Sequence, residues 1–406
     1  MTTKTNIQAG YKDSSVGVIP QEWEVRRLSD LGEVYSGGTP DTENEEYWDG
    51  DILWCTPSDI TSLQTKYIYN TNKRITTKGL KHSSAILLPT NTIIVCTRAT
   101  IGNAVIAGTP LSTNQGFKNI IPKCCDAEWL LYSLISNKKQ LEKLACGSTF
   151  LEVSKKDFEN FKLPIPPIEE QRKIAEILGV WDEAIEKQSR LIEKLELRKR
   201  ALMQRLLTGR MRIHGFNTPW QKVKLGEIFK ERNETRCENL PLLSITADKG
   251  VILQSESDKK DTSNEDKSKY KRICPNDIGY NTMRMWQGRS ALSSLEGIVS
   301  PAYTIVTPKV ELDMRFISEL IKQPRVVYDF WTHSQGLVGD TLNCKFHDFS
   351  QVRVLLPSLS EQKAIAEMLA TADNEIVAHR KKLDSLRMQK RGLMQQLLTG
   401  KTRVKI

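Results

Sequence analysis

Apolar positions step by three and four along two stretches of this chain, and the two stretches are copies of one another. In residues 169–209 the stripe runs Leu178, Trp181, Ile185, Gln188, Ile192, Leu195, Lys199, Leu202, Leu206. In residues 360–400 it runs Leu369, Ala372, Ile376, His379, Leu383, Leu386, Lys390, Leu393, Leu397. This is a heptad seam, with position a at Leu178 and Leu369 and position d at Trp181 and Ala372, and it predicts two long helices. The copies align without a gap at an offset of 191 residues, and 18 of the 41 positions are identical. Pro164, Pro166 and Pro167 precede the first copy and Pro357 the second, so neither helix can begin much earlier. Ser360 is the expected N-cap of the second copy. Both copies end in Leu-Leu-Thr-Gly, which places Gly209 and Gly400 as left-handed closing residues. Forty residues at the helical rise give a rod of about 60 Å.

Gln188 and Lys199 interrupt one seam, and His379 and Lys390 interrupt the other at equivalent places. If the helices pair antiparallel, a meets d. One register then puts Gln188 opposite Lys390 and Lys199 opposite His379. The facing layers Trp181–Leu397, Ile185–Leu393, Ile192–Leu386, Leu195–Leu383 and Leu202–Ile376 stay apolar. An antiparallel pair within one chain, in that register, is the expectation. The alternatives are an intermolecular bundle, or helices that pack on their own domains with Gln188 and His379 at wet edges.

The segments before the helices alternate differently. Each is rich in short strand-forming runs, such as 85–88, 92–97, 104–107, 297–306 and 351–356, divided by Gly and Asn turns. Short helices are expected at 127–144 and 314–330. The two segments share an opening, WEVRRLSDLGEVY at 23–35 and WQKVKLGEIF at 220–229, and an Asp-Phe pair before the last strand. Between those bookends they barely match. The fold class expected is α+β: two domains of one fold with divergent surfaces.

Charge sharpens this picture. The net charge is +10, which suggests an acidic partner such as nucleic acid. Residues 190–212 carry +6 and residues 379–405 carry +8, so the remainder is about −4. The basic charge therefore belongs to the repeated helices. No apolar run approaches the ~18 residues of a membrane span, and residues 1–17 hold no apolar signal segment. A cytoplasmic protein with no membrane partner is expected. Eight scattered cysteines without CxxC spacing argue against a zinc site.

Candidate nucleic-acid contacts lie in the variable segments. Arg suits guanine edges and Asn or Gln adenine edges, while Lys, Ser and Thr more often meet phosphates. In the first half the candidates are Thr56, Ser58 and Asp59, Lys73 and Arg74, Lys78, Lys81 and His82, Arg98, Asn103, Asn114 and Gln115. In the second they are Lys249, Lys269, Lys271, Arg272, Asn281, Arg284, Gln287, Arg289, Ser300 and Tyr303. The turns 97–103 and 281–289 are the strongest choices for base contact; Trp286 reads as core. Most surface lysines are simply solvated.

No GxGxxG after a strand, Walker A sequence, HExxH or aminomethyltransferase proline motif is present, and no nucleophile–base set assembles. A non-catalytic binding protein is the economical reading. A protein assembly scaffold without base readout, or a nuclease with an unrecognised carboxylate site, are the competing ones.

The pieces IPQEWEVRRLSDLGEVYSGGTP, WCTPSDI, GSTFLEVSKKDFENFKLPIPPIEEQRKIAEIL, LMQRLLTG, PWQKVKLGEIF and LPSLSEQKAIAEML, in that order, resemble the DNA specificity subunits of type I restriction–modification systems. The resemblance implies target-recognition domains over 1–163 and 213–355, and conserved helices over 164–212 and 356–406. The helices would form an antiparallel coiled-coil spacer with pseudo-twofold symmetry. Each domain would read one half of a split, asymmetric double-stranded DNA site. Two methyltransferase subunits and the restriction–translocase subunits would dock on the chain. S-adenosylmethionine, ATP and Mg2+ would belong to those partners, with no cofactor in this chain.

Overall fold

The computed structural model describes residues 9–63, 65–147, 151–246, 249–257, 261, 263–336 and 342–405. Residues 1–8, the start of the stretch without an apolar signal, lie outside them. The chain divides into two compact units, residues 1–191 with 379–406, and residues 192–378. Both boundaries fall inside the repeated helices, which span Ile168–Leu206 and Leu359–Leu397. Each unit therefore holds one variable segment, the start of one long helix and the end of the other.

In the first unit a five-stranded sheet runs in the order Gly32–Ser36, Phe117–Pro122, Ile93–Cys96, Ala104–Ala107, Tyr67–Ile68. Its pairs are antiparallel except the last. A three-stranded sheet joins Ser112–Thr113, Trp48–Cys55 and Lys73–Ile75. The ladder Glu24–Arg27 with Lys162–Ile165 brings the segment's two ends together. The core packs Leu28, Leu31, Trp129, Tyr132 and Phe158 against Ile174 and Leu178 of the first helix and Met394, Leu397 and Leu398 of the second. Fully burying each such side chain contributes roughly 1.5–3 kcal/mol. The helix ends are thus part of the domain core.

The second unit repeats the plan. Phe229–Glu231, Tyr303–Pro308, Ile278–Asn281 and Ser290–Leu292 follow the strand order of the first four strands above. Gln221–Lys224 pairs with Arg353–Leu356. Phe229, Phe316, Phe330 and Phe349 pack with Leu206 and Leu207 of the first helix and Ile365, Ala366 and Leu369 of the second.

Local expectations fared unevenly. Residues 104–107 form a strand as read, and 92–97 shrinks to Ile93–Cys96. Residues 85–88 form no strand; only Leu88 bridges to Leu111, while Ile86 and Leu87 are exposed and Pro89 follows. The run 297–306 is broken at Ser300-Pro301-Ala302 into two strands, because proline cannot donate to the ladder. Both short helices also break in two, the second before Pro324. The second long helix begins one residue before Ser360, so the cap is Ser358, whose Oγ accepts from the Glu361 amide at 3.4 Å.

Every a and d position of both long helices is buried or half-buried, as the heptads predict. Gly209 and Gly400 close the helices at φ +70° and +71°. The expected register is not the one observed. Gln188 meets His379, its Nε2 donating to the His379 carbonyl at 2.9 Å. Lys390 pairs with Asp182, and Lys199 with Asp373 at 2.6 Å. The pairs Gln188–Lys390 and Lys199–His379 are therefore replaced. An ammonium inside a seam needs a carboxylate more than a neutral polar neighbour. Asp182 and Asp373 stand beside the seam at equivalent positions and supply it. Cysteines at 188 and 379 are expected to cross-link within one chain with a short bis-maleimide, and cysteines at 188 and 390 to do so far less. Peptide mapping by mass spectrometry checks this; preferential 188–390 linkage would restore the first register.

Candidate nucleic-acid interface

In the first unit four loops meet at one end of the sheets. The Thr97 amide donates to the Gly116 carbonyl at 2.9 Å, the Asn114 amide to Cys55 at 3.1 Å, and the Gly38 amide to Thr113 at 2.9 Å. Gly37 permits this approach, since a Cβ there would lie 1.8 Å from the Asn114 carbonyl oxygen. The surface gathers Thr56, Ser58, Arg98, Asn103, Asn114 and Gln115 from distant parts of the sequence.

Several of these residues are occupied. The Thr56 amide and Oγ1 both donate to Asp59, at 2.8 and 2.6 Å, capping a short helix. Asp59 also accepts from Asn72 and is buried, so its role is to hold the loop. Asn114 Oδ1 accepts from the Gly116 amide at 2.9 Å, and Asn103 Oδ1 from Lys138 at 2.8 Å. Ser58 and Gln115 are exposed. Arg98 is half-exposed and grips Glu152 through Nε at 3.1 Å and through Nη2. Burial would raise the Glu152 carboxyl, but hydrogen bonds from Arg98 and Lys118 outweigh it and hold the group below its ordinary range.

A second group follows the strand Lys73–Ile75. The Lys73 ammonium lies 5.6 Å from the Trp48 ring centroid. Arg74 donates to Asn70 at 3.3 Å. Lys78 is paired with Glu46, whose carboxyl is lowered by that hydrogen bond. His82 stacks on Tyr47 at 5.8 Å. Lys81 is exposed.

In the second unit the turn 281–289 occupies the same place in the strand order as 97–103. It is tied to residues 300–303, with Thr282 Oγ1 donating to the Ala302 carbonyl at 2.9 Å. The Asn281 side chain braces its own loop by accepting from the Met283 amide at 3.0 Å. Gly288 takes φ +71°. Arg284, Gln287 and Arg289 are exposed and make no side-chain ion pair with any described residue. Ser300 Oγ accepts from Ala302. Tyr303 donates to the Ile245 carbonyl at 3.4 Å, and burial pushes its phenol up. Trp286 is half-buried, with its indole N–H on the Met283 carbonyl at 2.9 Å. Lys249 and Lys269 lie exposed on loops. Lys271 faces Glu231 at 3.4 Å, and Arg272 is held by Glu234 and Glu296. Through Glu234, Arg272 joins an internal network with Arg232 and Asp277.

The roots of the long helices hold residues that the sequence reading passed over. Glu170, fully buried, accepts from Trp23 Nε1 at 2.9 Å and from Arg403 at 2.7 and 3.0 Å. Glu361 accepts from Trp220 Nε1 at 3.1 Å and from Arg212 at 2.6 and 2.8 Å. Gln171 and Gln362 accept from the amides of Asp126 and Asp313, the N-caps of the neighbouring short helices. In each unit the root of one long helix is bound by the tail that follows the other. The signal is in the sequence: Arg212 and Arg403 stand at the same 191-residue offset, three residues past Gly209 and Gly400. Among the described residues no group of His, Cys, Asp and Glu could hold a metal, and no helix is long and apolar enough to cross a membrane.

The family profile of the type I restriction modification DNA specificity domain matches residues 20–197 and again residues 217–387. The chain belongs to this family. It is a DNA-specificity subunit, a non-catalytic role in a type I system. The MjaIX specificity subunit of Methanocaldococcus jannaschii is 41% identical over 46% of this chain and 45% of its own length. The MjaVIII subunit of the same organism is 27% identical over 95% and 94%. Among solved structures, the S subunit from M. genitalium superposes with a TM-score of 0.53 at 16% identity, covering 98% and 99%. A chain from a study of complex assembly in the type I R-M system gives 0.61 at 18% identity, covering 95% and 99%. At these identities the solved structures speak for the fold. The specificity subunit is built from two recognition-type domains joined by long helices, as its sequence led one to expect.

Proposed function

We propose that this specificity subunit reads a split, asymmetric double-stranded DNA site, one half per variable domain, and seats two methyltransferase subunits on its helices. The observation that carries the reading is the loop pair 97–103 and 281–289. They occupy the same position in the same strand order, yet one presents Arg98 and Asn103 and the other Asn281, Arg284, Gln287 and Arg289. Equal placement with unequal side chains suits two unlike half-sites. Domains spanning 1–163 and 213–355 would do the reading. The helices, as an antiparallel pair with pseudo-twofold symmetry, would set the distance between half-sites and offer two like docking surfaces. The equivalent ion pairs Asp182–Lys390 and Lys199–Asp373 support that symmetry. A DNA turn of about 34–36 Å is within reach of a ~60 Å rod. S-adenosylmethionine, ATP and Mg2+ would serve the methyltransferase and restriction subunits in the cytoplasm.

The complex assembled with its methyltransferase partners is expected to methylate adenines in two dissimilar half-sites separated by a fixed spacer. Methylation mapping by long-read sequencing checks this, and modification of a continuous or palindromic site would overturn it. The variable domains carry little net positive charge, so the chain alone should bind cognate DNA weakly at moderate salt. Equal affinity with and without the partners would show that the partners add nothing to DNA contact.

A further inference from the structure

We propose that Glu152 is a specificity-positioning residue: it holds the Arg98 guanidinium side-on, so that the remaining edge faces a base of the first half-site. The inference rests on the reading of Arg98 as a DNA-facing residue. Glu152 Oε2 takes Arg98 Nε at 3.1 Å and also Nη2. A planar guanidinium gripped along its Nε–Nη2 edge keeps its Nη1–Nη2 edge free, and one N–H from each of those two nitrogens can meet the O6 and N7 of a guanine.

Glu152 is itself immobilised. Its other oxygen accepts from Lys118 Nζ at 3.0 Å, and the Lys118 side chain is only 6% exposed. If Glu152 swung away with Arg98, it would strand a buried ammonium, which is strongly unfavourable. Its backbone is fixed as well. Glu152 bridges both Arg98 and Cys146, and the Val153 amide donates to the Thr97 carbonyl at 3.0 Å. The carboxylate thus remains in place and Arg98 is aimed against it. A guanidinium fixed before DNA arrives loses less side-chain freedom on binding. Arg284 in the second unit makes no such pair with any described residue.

The test uses the complex assembled with methyltransferase subunits and its mapped site. Methylation rates are measured on cognate DNA and on DNA altered one base pair at a time. Arg98→Ala is expected to lose roughly tenfold or more of the discrimination at one base pair of the first half-site. Glu152→Gln should lose discrimination at that same base pair, by a smaller factor. Arg98→Ala/Glu152→Gln should be no worse than Arg98→Ala alone. Discrimination within the second half-site should stay unchanged in all three. Because Glu152→Gln leaves Lys118 without its partner, Glu152→Gln/Lys118→Met is made alongside and should show the same base-pair-selective loss. If Arg98→Ala leaves every base pair discriminated as before, the DNA-facing reading of Arg98 fails. If Arg98→Ala acts but both Glu152 variants discriminate normally, or lose rate uniformly at all positions, the positioning role is overturned.

Discussion

Seven residues inserted after Leu195 of the first long helix alone are expected to cut site-specific methylation by the assembled complex at least ~100-fold. A heptad preserves the seam but lengthens that helix by about 10 Å. The second helix is unchanged, so Lys199–Asp373 and Asp182–Lys390 cannot both form. A displacement of this size corresponds to roughly three base pairs, and each mismatched pair costs about 1–3 kcal/mol. One half-site is then read out of step. A second heptad placed after Leu386, the equivalent position of the other helix, restores both pairs. That double insertion should recover methylation on DNA with a longer spacer. Methylation on a set of sites with graded spacers measures both outcomes. Normal activity of the single insertion on the original site would show that the helices do not act as a ruler.

Replacing Glu170 by alanine is expected to destabilise the first unit by about 3 kcal/mol, a fall of roughly 6–12 °C in its melting transition. The side chain is fully buried and satisfies the Trp23 indole N–H and two donors of Arg403. Alanine leaves the indole N–H and Arg403 Nε unpaired, while Arg403 Nη2 keeps Glu22 at 2.8 Å. Breaking a buried pair costs about 3–5 kcal/mol. The lower figure applies because the Arg403 side chain is 35% exposed and can regain water. The double variant Glu170→Leu/Arg403→Met removes both charges together and should be more stable than Glu170→Ala. Glu361→Ala should act in the same direction on the second unit, through Arg212 and Trp220. Differential scanning calorimetry of the full chain reads these changes, and an unmoved transition in Glu170→Ala would show that the buried carboxylate holds nothing.

The candidate interface was only partly legible. Arg98 and Arg284 both stand in the loops chosen from sequence, yet one is gripped by a carboxylate 54 positions away in the chain and the other meets no carboxylate among the described residues. Lys271 and Arg272 read as nucleic-acid contacts, but three acidic residues claim them. A basic side chain in sequence is a charge without an address. Whether it faces solvent or a carboxylate depends on contacts tens of residues apart.

The long helices, their ends at Gly209 and Gly400, their wet and dry faces and the duplicated plan of the chain came from the sequence by itself. Those features rest on local periodicity, on proline and glycine, and on an internal copy that can be laid against its original. The partners across the seam were decided by the tertiary structure. Apolar layers accept several registers at similar energy, and polar pairing chosen within the stripe picked the wrong one. Asp182 and Asp373, one position outside the stripe, settle it by neutralising Lys390 and Lys199. Ion pairs act through distances of a few ångströms, and only folding brings those groups to that range.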